Sequence, residues 1–157
     1  MAVVYKSLVD LKNGYPGSGV DRPIVAKLIA ATVMNYSEVT NWGTHLKTGS
    51  CRAGARSLGA YYFGRSVHKV RHAEEELVPQ IAANGFDYMY VDIEPCHSGK
   101  YGKDGGCKWL IHKTFAAGTV FYAFDQDNYE SGMLSLVKEN DVQSQVVLLR
   151  SWMGDYL

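Results

Sequence analysis

The chain has 157 residues, 46% of them hydrophobic and 20% charged, with 16 cations balanced by 16 acids. That length suits one domain with its own core, and the composition is that of an ordinary water-soluble globular fold. Zero net charge excludes a globally basic nucleic-acid binder, and no apolar run approaches the roughly eighteen residues of a membrane span.

Residues 1–23 read as an irregular lead-in, because NGYPGSGVDRP is dense in turn-formers. The segment lacks the basic start, long apolar stretch and small-residue cleavage site of a signal peptide. The run IVAKLIAATVMNY, 24–36, reads as a buried strand, although its alanines also permit a helix. A polar connection over 37–55 leads to RSLGAYYFGRSV, 56–67, an aromatic-rich strand. RHAEEELVPQIAANG, 71–85, predicts a helix with acids in its first turn, apolar Leu77, Val78 and Ile81, and an Asn84-Gly85 stop. Pro79 fits that helix best if the first turn begins after His72.

FDYMYVDIE, 86–94, has high strand propensity, and CKWLIHKTFAAG, 107–118, predicts a short helix closed by Gly118. TVFYAFD, 119–125, predicts a strand, ESGMLSLVKEND, 130–141, a helix, and SQVVLLRSWM, 144–153, a last strand. The order β-β-α-β-α-β-α-β predicts a single α/β domain: three layers, with a mixed five-stranded sheet and helices on both faces.

Charge is unevenly spread. No acid falls between Glu38 and Glu74, yet Lys47, Arg52, Arg56, Arg65, Lys69 and Arg71 do. Such a stretch forms either a local phosphate-binding face or simply a solvated basic run. The cysteines, Cys51, Cys96 and Cys107, are odd in number, and the chain is too long to depend on disulfide staples. Cys51 has no assigned role.

His72, Cys96 and Cys107 offer one imidazole and two thiolates, three of the four ligands of tetrahedral zinc, with the fourth left for water. Zinc lowers the pKa of a bound water, and a carboxylate beside the metal is then needed to move protons. Glu74 follows His72 by two residues at the start of the same helix. Glu75 and Glu76 read as solvated, Glu94 as a strand-end residue and Trp109 as core. A thiolate after Pro95 is favoured if Pro-Cys opens a helix, whose N-terminus stabilises negative charge.

HAE on a helix, then a strand ending in EPC with a further cysteine opening the next helix, resembles the zinc-dependent nucleobase deaminases, whose signature is H-x-E…P-C-x-x-C. The resemblance covers about residues 24–157 and is closest to the polymorphic-toxin branch of bacteria. It implies a cytidine-deaminase-like fold, Zn2+ on His72, Cys96 and Cys107, and Glu74 as proton shuttle. The spacing departs from the signature: CHSGKYGKDGGC has ten residues between its cysteines, which leaves His97 as a substitute ligand. Toxin-type members resemble this chain in carrying a Gly-rich insertion there, which places GKYGKDGG near the site mouth.

The implied activity is hydrolytic deamination of cytosine in nucleic acid, single-stranded DNA in particular because a duplex base must first be flipped out. RNA, duplex DNA, free nucleosides and adenine stay open as substrates. The resemblance also implies a secreted toxin acting in a target-cell cytoplasm, with a cognate immunity protein and no membrane partner. Candidate substrate contacts are Asn35 on the base edge, Trp42 and Tyr62 as stacking platforms, and Ser98 in the inter-cysteine loop. Two other readings stand beside this one. A lysozyme-like hydrolase would use the carboxylates of YVDIE, and a non-enzymatic zinc module would need a fourth protein ligand such as His97 or His112.

Overall fold

A computed structural model describes residues 3–7, 21–35, 51–67, 71–96 and 106–124. Five strands, β1 (Val3–Ser7), β2 (Arg52–Ser57), β3 (Ala60–Arg65), β4 (Tyr88–Ile93) and β5 (Gly118–Phe124), form one sheet in the order β1-β5-β4-β2-β3. β5 runs parallel to both β1 and β4, whereas β2 is antiparallel to β3 and β4. The helices are α1 (Arg22–Asn35), α2 (Ala73–Ile81) and α3 (Gly106–Thr114). The chain is therefore of the α/β class, with a mixed five-stranded sheet in a three-layer arrangement.

The strand expected over 24–36 is a helix. Asp21 caps it, its carboxylate accepting from Ile24 N at 3.2 Å and its carbonyl from Val25 N at 3.0 Å. Val25, Leu28, Ile29, Thr32 and Val33 are buried and Lys27 is exposed, which is helical spacing. This face lies on the sheet over Gly54, where a Cβ would strike the Thr32 hydroxyl.

Alternation puts the next residues of β2 on the other face. Ala53 and Ala55 join Leu77, Val78 and Ile81 of α2, Ile111 of α3, and Met89, Val91 and Val120 in one apolar cluster. α1 thus covers one face of the sheet, and α2 and α3 the other.

Two further expectations change. Val3–Ser7, placed in the irregular lead-in, is an edge strand with Tyr5 opposite Val120. The single strand expected over 56–67 is half of a hairpin: Ser57 pairs with Ala60 across Leu58 (φ 49°) and Gly59 (φ 79°). Two positive φ values make a tight turn that follows the sheet's twist.

α2 begins at Ala73, with Pro79 inside it, and stops at Gly85, whose φ of 71° and bond from its N–H to the Ile81 carbonyl (2.9 Å) are the expected stop. The elements expected over 130–141 and 144–153 lie outside the described residues. Among those residues no helix is long and apolar enough to cross a membrane.

Candidate metal centre

The end of the sheet where β4 finishes and β2 begins also receives the N-termini of α2 and α3. His72 precedes α2 as its N-cap, in extended conformation (φ −85°, ψ 158°). Its backbone N–H donates to Glu75 Oε1 at 2.8 Å, and Glu75 N–H donates back to its carbonyl at 3.1 Å. Glu75, expected to be solvated, fixes the backbone of His72 instead.

The α2 N-terminus also lies close against β3. A Cβ on Gly64 would overlap the Ala73 carbonyl and press on Leu77 N, so glycine permits this approach. Cys51, just ahead of β2, completes the support. Its N–H donates to Ser66 Oγ at 2.6 Å, and its thiol is hydrogen-bonded to the Ala73 backbone.

Cys96 follows β4 and Pro95 in irregular chain, and Cys107 is the second residue of α3. Cys107 N–H donates to Cys96 Sγ at 3.3 Å, and Lys108 N–H to the Cys96 carbonyl at 2.9 Å. The sulfur of Cys96 thus meets a helix N-terminus, though that of α3 rather than of a helix opened by Pro95. An ion pair from Lys108 Nζ to Glu94 Oε2 (2.6 Å) ties the same two segments together, so Glu94 is a clamp as well as a strand end.

These contacts bring the three predicted ligands into one group. His72 Nδ1 lies 3.1 Å from Cys107 Sγ and 3.7 Å from Cys96 Sγ. All three ligand atoms fall within 4.8 Å of one another, a spacing compatible with one metal ion between them. Glu74 is buried beside them, only 3% exposed.

The members of the group strongly perturb one another's titration. Hydrogen bonding from Cys107 and from His72 brings Cys96 down to about 4, against the pull of burial. Cys107 is pushed far above the thiol range, first by its hydrogen bond to Cys96, then by burial and by Glu74. Burial lifts Glu74 to about 7, although its own backbone N–H and His72 favour the charged form. The hydrogen bond to Cys96 raises His72 despite desolvation. Two thiols, a carboxyl and an imidazole therefore hold protons in common. A divalent cation would let all of them adopt their ligating or ionised forms, with proton release. One imidazole and two thiolates suit zinc.

The remaining candidates are dispersed. Asn35 is exposed at the last residue of α1, not at a strand end. Tyr62 is half-buried on the α2 face of β3, packed against the core cluster. Trp109, expected in the core, is 49% exposed beneath Lys113, whose Nζ lies 4.3 Å from the ring centroid. His112 is exposed on α3 and is not in the metal group. Trp42, His97, Ser98 and the GKYGKDGG loop lie outside the described residues.

The acid-free stretch is less basic than it reads: Arg52 pairs with Asp92, Arg56 with Asp87 and Arg71 with Glu76. A cleft lined by Leu58, Asn84, Phe86, Asp87 and Phe115 lies at the opposite end of the sheet and shares no residue with the group. No protein-family model, curated protein or solved structure matches the chain.

Proposed function

We propose that the chain is a zinc-dependent hydrolytic deaminase of nucleobases, of the polymorphic-toxin type, with cytosine in single-stranded DNA as its target. The observation that carries this reading is the convergence of His72, Cys96 and Cys107 within 4.8 Å, with Glu74 buried beside them. In this reaction water replaces the exocyclic amine of cytosine, and uracil and ammonia leave.

Zinc held by the three residues would supply a water of lowered pKa. Glu74 would take a proton from the attacking water and deliver it to the ring nitrogen. It would then take the second proton, from the hydroxyl of the substrate adduct, and pass it to the departing amine, which leaves as ammonia. In the metal-free chain, burial lifts this carboxyl to about 7, so desolvation already favours a group that holds a proton. Cys107 N–H and the Glu94–Lys108 pair hold the two thiol segments in register, and Glu75 holds His72. A cognate immunity protein and action in a target-cell cytoplasm belong to the same reading.

The hydrolase reading has less support. Asp92 is locked by Arg52 and Tyr90, and Glu94 is paired with Lys108, so neither carboxylate of YVDIE is placed for glycoside chemistry. Metal analysis combined with ammonia release from cytosine-containing oligonucleotides tests the proposal. Glu74→Ala is expected to keep zinc and fold while losing at least a hundredfold in rate. Full activity in that variant would exclude the mechanism, and zinc without any deamination would favour a binding module. Sequencing nucleic acid from expressing cells, for C-to-T or A-to-G changes, identifies base and polymer together.

A further inference from the structure

Tyr5 lies in β1, far from the histidine and cysteine motifs in sequence, yet the sheet brings it beside them. Its ring is held by two side chains of α3. Lys108 Nζ lies 4.7 Å from the ring centroid, and the His112 ring is 5.6 Å away at 50°. Lys108 directly follows Cys107, and the ring also packs against the core cluster below the site.

The phenolic oxygen is buried and has no hydrogen-bond partner among the described residues. A buried hydroxyl left in that condition costs free energy unless something else satisfies it. The hydroxyl titrates above its ordinary range, through burial first and then through the charges of Glu74, Cys107 and Glu94. Lys108, which lies over the ring, also pairs with Glu94 in the clamp that joins the two thiol segments, so the ring lies against the metal centre.

We infer that Tyr5 is a further residue of the metal centre, whose hydroxyl donates a hydrogen bond to the polar ligand that completes the coordination left open by His72, Cys96 and Cys107. The inference rests on the metal-site reading above, and it concerns a neutral donor. Glu74 already supplies a proton acceptor, and a phenol that resists ionisation supplies the complementary donor. An oxygen or nitrogen of a bound nucleobase, or water in its absence, is the class of ligand that fits.

The test uses the full chain carrying Tyr5→Phe, which removes only the hydroxyl. Cobalt-substituted wild type and variant are compared by visible spectrum across a pH series, along with metal stoichiometry and thermal midpoint. The variant is expected to bind the same amount of metal and, metal-free, to melt no lower, because in that state an unsatisfied buried group has been removed. Its cobalt spectrum and the pH at which that spectrum changes should both differ from wild type. Deamination should fall about ten- to a hundredfold, the range for a hydrogen bond to a charged or developing-charge centre.

An unchanged spectrum and pH transition, or a metal-free midpoint lowered by several degrees, would overturn the inference. As a second measurement, 3-fluorotyrosine at position 5 should show a cobalt-induced shift or broadening of its fluorine resonance that zinc does not produce. An unaffected resonance would equally overturn it. A wild type that loads cobalt but deaminates no substrate defeats the proposed function alone, since both spectroscopic measurements still decide the place of Tyr5.

Discussion

Two buried polar groups sit only a few residues apart along β4 and its extension, and they are opposites. Asp92 is completely buried, and its carboxylate is saturated. It accepts from Arg52 N (2.7 Å), Nε (3.0 Å) and Nη2 (3.3 Å), and from the Tyr90 hydroxyl (2.7 Å). Burial works against the Arg52 charge, yet Asp92 beside it more than offsets this, and Arg52 titrates above its ordinary value. Burial, and then Asp92, raises Tyr90, which stays a neutral donor.

The His72–Glu74–Cys96–Cys107 group is held differently: burial lifts Glu74 to about 7, Cys107 is driven far above the thiol range and Cys96 falls to about 4. The first arrangement fastens the α1 face of β4 to β2. The second brings three ligand-type atoms together at a spacing compatible with an added ion. A buried polar group with its partners built in reads as structure, and one poised for a partner from outside reads as a site.

The comparison can be broken most sharply at Cys107. Cys107→Ala should abolish stoichiometric metal binding, the largest effect expected. Equilibrium dialysis or atomic absorption measures it. If His97→Ala removes the metal while Cys107→Ala keeps it, the third ligand is His97.

Next in size, Asp92→Ala should cost about 3–5 kcal/mol in denaturant unfolding, because Arg52 is left buried without its counter-charge. A loss below about 1 kcal/mol would mean that the two polar groups are not the opposites described.

The third effect concerns pH. Glu74 is raised from 4.5 to about 7 in the folded chain, so it contributes stability that is present below about pH 4.5 and lost as pH rises through about 7. Cys96, depressed to about 4, has the opposite sign, its contribution being lost as pH falls through that value. Glu74→Gln isolates the first of these. The metal-free variant should match wild type near pH 4 and exceed it by about 3 kcal/mol at pH 8, from 1.36 kcal/mol per pH unit. Equal stability at both pH values would show that Glu74 is not held in a proton-retaining environment.

Much of this was legible in the sequence, and the parts that were not have physical reasons. α2, β4 and β5 lie where propensity and stop signals put them, helped by markers such as Asn84-Gly85, whereas α3 ends at Thr114 and Gly118, expected to close it, opens β5 instead. His72, Glu74, Cys96 and Cys107 were named because their chemistry is distinctive and their order matches a metal-site pattern. Residues 24–36 were misread because the run is apolar almost throughout. The spacing of Val25, Leu28, Ile29, Thr32 and Val33, and the Asp21 cap, were present but outweighed by bulk hydrophobicity. The hairpin was missed because Leu58-Gly59 is not a usual turn pair. β1 and Tyr5 could not be read at all, since a short edge strand is defined by its partner, and that partner lies far along the chain.

That last pairing bears on how the molecule is made. Val3 lies opposite Gly118, so β1 cannot join the sheet until a chain more than a hundred residues longer has been synthesised. Until β5 has been made, β1 has no strand to pair with. Closing so long a loop adds little to the free-energy cost, but it makes the step slow and late. The residues of β1 are therefore made well before the strand that receives them, and a chain that stops before residue 118 has no β5 edge for them to join.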